Sequence, residues 1–214
     1  MDLDPRQGES DSARRVEELR PLLRKVLAAL GENPDRDGLR KTPERWAKAL
    51  LEYTRGEQQD AQQHLKVVFE LDEDDYPLGS DDMVIVDSIE FASTCEHHLA
   101  PFRGRIHLAY IPDPDRRVIT GLSKLSRVVE VFAARLQVQE RMTQQIARAI
   151  DESLSPLGVI VVTQAVHYCM IQRGVKQAAS TTTTTARRGV FLAKPELEAR
   201  FQEYLRMRLD GTAL

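Results

Sequence analysis

The stretch STCEHHLAPF, residues 93–102, sets Cys95 three positions before His98, with Glu96 and His97 between them. That spacing lets a short turn aim a thiolate and an imidazole at one point, as in small zinc sites. Such a pair arises easily by chance, and the second of the chain's two cysteines sharpens it. Cys169 lies in AVHYCMIQ, where a strand would put His167 and Cys169 on the same face. If that strand lies beside the turn, Cys95, His98 and Cys169 form a three-ligand set with a fourth position open, the pattern of a catalytic zinc rather than a structural one. The bland alternative is two unrelated buried cysteines, since free Cys is a common core residue. Adjacent residues in a turn rarely both ligate a small tetrahedral ion, so one of the two histidines is spare. His97 and His167 are then candidates for general acid–base work, because imidazole titrates near neutrality. The plain alternative for each is a hydrogen bond within the fold. Glu96 reads as a surface or supporting acid, and His64 and His107 sit in ordinary contexts.

A second group is cationic. Lys124 and Arg127 fall in the first turns of a helix opened by Ser123, and Arg173 and Lys176 lie just past Cys169. A helix N-terminus with Arg and Lys is a ready phosphate site, although solvated surface charge is the default. Gln139 and Glu140, in QVQER, open another helix. A carboxylate there can accept two N–H donors from a guanine edge, or it can simply complement the helix dipole.

The elements that position these residues begin with two helices. The stripe Leu19, Leu22, Leu23, Val26, Leu27, Leu30 predicts one from about Val16, closed by Gly31, with Pro21 as a kink or a true start. TPERWAKALLEYTRG predicts a second, with Thr42 as N-cap, Pro43 at the first helical position and Gly56 as its stop. After the acidic stretch LDEDDYPLGSDD, read as a solvated loop, LKVVFEL, MVIVDSIEF and GRIHLAYIP predict strands, with IPDPDRR as a hairpin-type break. Helices follow near 123–136 and 139–154. Then come β segments in VIVVTQAVHYCMIQ and in the Thr-rich STTTTTARRGVFL, where threonine's β-propensity favours a strand over low complexity. PELEARFQEYLRMRL is a final helix. Consecutive strands around a helical pair predict an antiparallel α+β fold, not a doubly wound sheet, and no phosphate-loop or dinucleotide fingerprint is present. The expected organisation is a disordered tail (1–12), a helical region (13–62), a catalytic domain (63–193) and a C-terminal helix and tail (194–214).

Of 214 residues, 42% are hydrophobic, and the formal charge is -3. The acidic balance argues against nucleic acid as a partner but leaves room for a basic pocket holding one small anion. No apolar run approaches the roughly 20 residues that span a bilayer, so no membrane association is expected. MDLDPRQGESDS is no signal peptide, and two cysteines make a poor disulfide framework. A cytoplasmic chain is expected.

CEHHLAPF, GLSKLSRVVEVFAARLQVQER and VHYCMIQRG followed by the Ser/Thr-rich strand closely resemble the GTP cyclohydrolase I family, and the TPERWAK helix start fits it too. The resemblance covers roughly residues 13–193. It implies a tunnelling-fold (T-fold) domain behind the helical region and a homodecamer of two face-to-face pentamers, with active sites at subunit interfaces. It also implies hydrolytic opening of GTP to formate and 7,8-dihydroneopterin triphosphate, the entry to folate and related pterins. Carried over by position, Cys95, His98 and Cys169 correspond to the zinc ligands and activate the water that attacks C8 of guanine. His97 corresponds to the histidine exchanging protons at the imidazole ring and the ribose, and His167 to the one assisting hydration and later proton transfers. Ser123 corresponds to the serine that helps the ribose open and rearrange. Gln139 and Glu140 correspond to the guanine-reading pair. Lys124, Arg127 and Arg173 correspond to triphosphate contacts, and Arg45 to an arginine that reaches the phosphates, an expected contact across a subunit boundary. One departure is the stretch KQAAS after RGV, which lacks the Lys-Pro-Gly of many members and bears on loop shape. A zinc nucleobase deaminase would need H-x-E and P-C-x-x-C, which are absent. A scaffold protein with a structural zinc would close the fourth position with a protein ligand.

Overall fold

A computed structural model describes residues 5–66, 68–70 and 81–209. It forms two compact units, one ending at Arg55 and one beginning at Gly56. In the first, α1 (Pro5–Ala29) packs its stripe, Val16, Leu19 and Leu23, against Trp46, Ala47, Leu50 and Leu51 of α2 (Thr42–Tyr53). α1 starts earlier than its apolar stripe, inside the stretch expected to be disordered; a proline suits a helix's first turn, where its missing N–H goes unused. The helix continues through Pro21. Gly31 closes it as expected, at φ +85°, with its N–H on Ala28 O and that of Glu32 on Leu27 O. Thr42 is already helical: Lys41 takes the cap position without a side-chain bond, and the Thr42 hydroxyl donates back to Gly38 O at 3.4 Å.

Gly56 belongs to the second unit. Its N–H donates to Ala134 O at 2.8 Å, and a Cβ there would stand 2.0 Å from Val131 O. The short 3₁₀ segment Ala61–Leu65 then buries both of its ends in the second core. Those contacts put the boundary before residue 56 rather than after 62.

The second unit is built on a five-stranded sheet in the order β5-β2-β3-β6-β7. Its strands are β2 (Val84–Cys95), β3 (Ala100–Ile111), β5 (Leu136–Gln137), β6 (Gly158–His167) and β7 (Thr182–Gly189). All pairs are antiparallel except β2 with β5. The expected α+β class therefore holds, and the Thr-rich run is a strand. The expected IPDPDRR hairpin does not form: β4 (Val118–Thr120) leaves β3 and pairs with β1 (Val68–Glu70). Residues 71–80 of the acidic stretch lie outside the described residues.

α3 (Leu122–Ala133) and α4 (Gln139–Leu154) pack on one sheet face. Leu125, Val128, Met142, Ile146 and Ile150 meet Phe102, Ile106, Leu108, Tyr110, Val159 and Val161 there. The alternate residues Ala109, Ile111 and Ile160 face the other way, onto Phe191 of the one-turn α6 (Val190–Ala193) and onto Leu197 and Phe201 of α7 (Pro195–Leu209). That alternation follows from the period of two along each strand. His107, given no role above, accepts the N–H of Ser88 at 3.2 Å, inside the irregularity between Val86 and Ile89. Burial lowers its pKa, so it serves as a neutral acceptor bracing the bulge.

Gly104 shows how closely β3 and β6 approach. A Cβ there would lie 1.8 Å from Gln164 O and 2.7 Å from Ala165 Cα. Gly104→Ala is expected to lower unfolding stability by about 3 kcal/mol, the upper part of the overpacking range, seen as a lower urea midpoint. An unchanged midpoint would mean the two strands lie further apart at this register.

Candidate active site and metal centre

The ends of β2 and β6 bring Cys95, His98 and Cys169 together. β2 ends at Cys95, held by its pairing with Ala100 of β3 and Gln137 of β5. The chain then turns through 96–99, with Leu99 at φ +50° and the N–H groups of His98 and Leu99 on Cys95 O. On the other side β6 ends at His167, opposite Phe102, and α5 (Tyr168–Ile171) begins at once. This corrects one expectation: Cys169 does not share a strand face with His167 but sits on a helical turn. Once ladder pairing stops at Phe102, the chain coils, and the coil carries Cys169 back toward Cys95.

The ligand-capable atoms of Cys95, His98 and Cys169 all lie within 4.8 Å of one another. Cys95 is buried, Cys169 half-buried and His98 exposed. Burial, and then the facing Cys95 thiol, push the Cys169 thiol up. A divalent cation inverts that balance by favouring thiolates. Ordinary Zn–S and Zn–N bonds place tetrahedral ligands roughly 3.5–3.8 Å apart, so two thiols and an imidazole at this separation suit such an ion after small side-chain rotations.

His97 stands outside this group. It is exposed, lies edge-on to His98 at 6.2 Å and has Nε2 3.9 Å from Glu96 Oε1. Glu96 is held mainly by Arg141 of α4, whose hydrogen bond keeps the carboxyl below its usual range. Arg141 also donates to Gln137 Oε1 and Leu136 O, and Glu96 N–H donates to Gln137 O. The turn between two ligand-capable residues is thus tied to β5 and α4. Sequence spacing gave no sign of Arg141, because its partner lies 45 positions away.

The expected pair at 139–140 is divided. Glu140 is exposed in the first turn of α4. The Gln139 side chain is buried, with its amide nitrogen on Thr163 O, Thr182 O and Thr184 Oγ1 and its oxygen against His167. Both amide hydrogens are committed within the protein, which leaves none for a base. The cause is the N-terminal position on α4, which faces the β6–β7 ladder.

A sequence model of the GTP cyclohydrolase I family matches residues 19–206. The chain is 46% identical over 193 residues to GTP cyclohydrolase 1 of Deinococcus radiodurans, covering 90% of this chain and 85% of that protein. To that of Chlorobium phaeovibrioides it is 49% identical over 181 residues, covering 85% and 77%. To that of Clostridium kluyveri it is 44% identical over 190 residues, covering 89% and 97%.

The chain belongs to the GTP cyclohydrolase I family.

It is accordingly an enzyme of the GTP cyclohydrolase kind. Ser123 and Lys124 fall in the first turn of α3, and Arg127 one turn further on. Arg173 follows α5, and its charge favours the Cys169 thiolate. Ser123, Arg127, Glu140 and Arg173 are all exposed. Arg45 lies on α2 of the first unit and is exposed as well. No described helix is long and apolar enough to cross a membrane.

Proposed function

We propose that the chain opens the guanine imidazole ring of GTP hydrolytically, with zinc at Cys95, His98 and Cys169, and yields formate and 7,8-dihydroneopterin triphosphate, the first step of pterin and folate synthesis. The observation that carries this is the convergence of two thiols and one imidazole within 4.8 Å, reached from the ends of β2 and β6 on either side of β3, in a chain of this family. When bound, zinc supplies Lewis-acid activation, bringing the pKa of a water toward about 7.

This chain's own residues do the rest. Glu140 accepts the N1–H and exocyclic amine of guanine and orients C8 toward the ligand turn. Lys124, Arg127 and Arg173 hold the triphosphate at the start of α3, where the helix dipole adds to their charge. Hydrolysis at C8 breaks its bonds to N9 and N7, and each departing nitrogen takes up a proton. His167 assists hydration, and His97 delivers protons to the ring and later to the ribose. Ser123 helps the ribose open and rearrange before an amine recloses on it. Two waters enter at C8 and one leaves at ring closure, so one is consumed overall.

The site is completed by other copies of the chain, in a homodecamer of T-fold domains. Exposure of His97, His98, Glu140 and Arg173 on one chain favours this, because water must be excluded for charged groups to act strongly. Among the described residues β7 is last in the sheet order, and its outer edge is available for such contacts. Arg45 reaches the phosphates from a neighbouring subunit, and the enzyme works in the cytoplasm.

Incubation of the purified, zinc-loaded protein with GTP is expected to release formate and give a pterin fluorescence after oxidation. Glu140→Gln should raise KM for GTP roughly 5–150-fold, since unpaired guanine donors cost roughly 1–3 kcal/mol. Absence of formate from a zinc-loaded protein would refute the reaction, and an unchanged KM would remove Glu140 as base reader.

A further inference from the structure

The buried amide of Gln139 decides which nitrogen of His167 carries the proton. Gln139 is 1% exposed, and its terminal nitrogen lies 3.0 Å from both Thr163 O and Thr182 O. Backbone carbonyls only accept, so the amide's NH2 end must face them; the reverse orientation would set three oxygens against one another. Thr184 Oγ1, at 3.2 Å, is a third acceptor, and the hydroxyls of Thr143, Thr163 and Thr184 satisfy one another at 2.7–2.9 Å. The network is closed on that side. The amide oxygen therefore points at His167 Nε2, 2.8 Å away. An amide oxygen cannot donate, so Nε2 must.

From this we infer that Gln139 is a positioning residue for His167: it fixes the ring as the Nε2–H tautomer and leaves the lone pair on Nδ1. The ring plane is fixed as well, by stacking on fully buried Phe102 at 4.6 Å and 2°. Among the described residues Nδ1 has no hydrogen-bond partner of its own. Nδ1 is thereby the nitrogen able to accept a hydrogen bond from water or substrate, while Nε2–H keeps its bond to Gln139 Oε1. An orienting hydrogen bond of this type sets the tautomer of a working histidine. The same contacts explain the use of Gln rather than Glu: a carboxylate would press an oxygen on two carbonyls.

The tautomer rests on hydrogen-bond chemistry alone, whereas its use in catalysis rests on the ring-opening reaction proposed above. Solid-state NMR of the native protein with 15N-labelled histidine, the His167 signals assigned by their loss in His167→Asn, separates the two. The expected spectrum shows a protonated Nε2 and an unprotonated Nδ1. The opposite pattern, or rapid averaging of both, would overturn the inference even in a protein that opens GTP. Gln139→Met should lower kcat roughly 10–100-fold, as loss of a histidine's orienting partner does, with KM for GTP changed less than about threefold. A raised KM with kcat retained would make Gln139 a base reader instead. A merely structural amide would shift the melting temperature and leave both the tautomer and the kcat-to-KM split unmoved. Should Gln139→Met fail to fold, the native spectrum still decides.

Discussion

Cys169→Ser is expected to lose zinc and turnover together. In the proposed zinc site Cys169 is the ligand contributed from outside the 95–98 turn, and without it Cys95 and His98 would hold two corners of a site that needs three. A serine hydroxyl is a poor substitute, because it does not ionise near neutrality and lacks the soft sulfur that selects zinc. Even outer partners of zinc ligands are worth roughly 10–100-fold in metal affinity, so a ligand itself should cost at least about a hundredfold. Metal analysis after dialysis, with formate release from GTP, measures both quantities. The half-buried setting of α5 tolerates the swap of sulfur for oxygen, so circular dichroism should stay native. Full zinc content with native folding would remove Cys169 from the ligand set.

His97→Ala should separate the two properties that Cys169→Ser joins. Its imidazole lies outside the Cys95, His98, Cys169 group and is exposed beside it. Zinc content should stay at one ion per chain, while kcat falls about 10²–10⁴-fold, the range for a lost general acid–base group. Loss of the metal instead would make His97 a ligand and His98 the spare. Full turnover would mean another group moves those protons. Glu96, 3.9 Å away and held by Arg141, should keep its place in the variant, since its main partner is not His97.

The contrast between the two adjacent histidines shows what is legible along a chain. C-x-x-H spacing selects His98 over His97 because a turn of that length closes on itself, and the structure closes it through His98 and Leu99 N–H on Cys95 O. Periodicity likewise locates α4 at Gln139–Leu154 and α7 at Pro195–Leu209, as the apolar faces require. Local bonding governs these features, so neighbours in sequence suffice to reveal them.

Where the chain meets distant partners, local pattern is silent or misleading. AVHYCMIQ has strand character throughout, yet β6 stops at His167 because its β3 partner leaves the ladder at Phe102. That ending puts Cys169 on a helical turn within reach of Cys95. QVQER looks like one polar pair at a helix start, yet packing against β6 and β7 turns Gln139 inward to Thr163, Thr182 and His167, while Glu140 stays exposed. The residue types needed for the chemistry, and the local turns that present them, are written in the linear order. Which atoms finally meet, down to the nitrogen of His167 that keeps its proton, follows from strand register and helix packing. Those depend on contacts between residues tens of positions apart, and no local propensity encodes them.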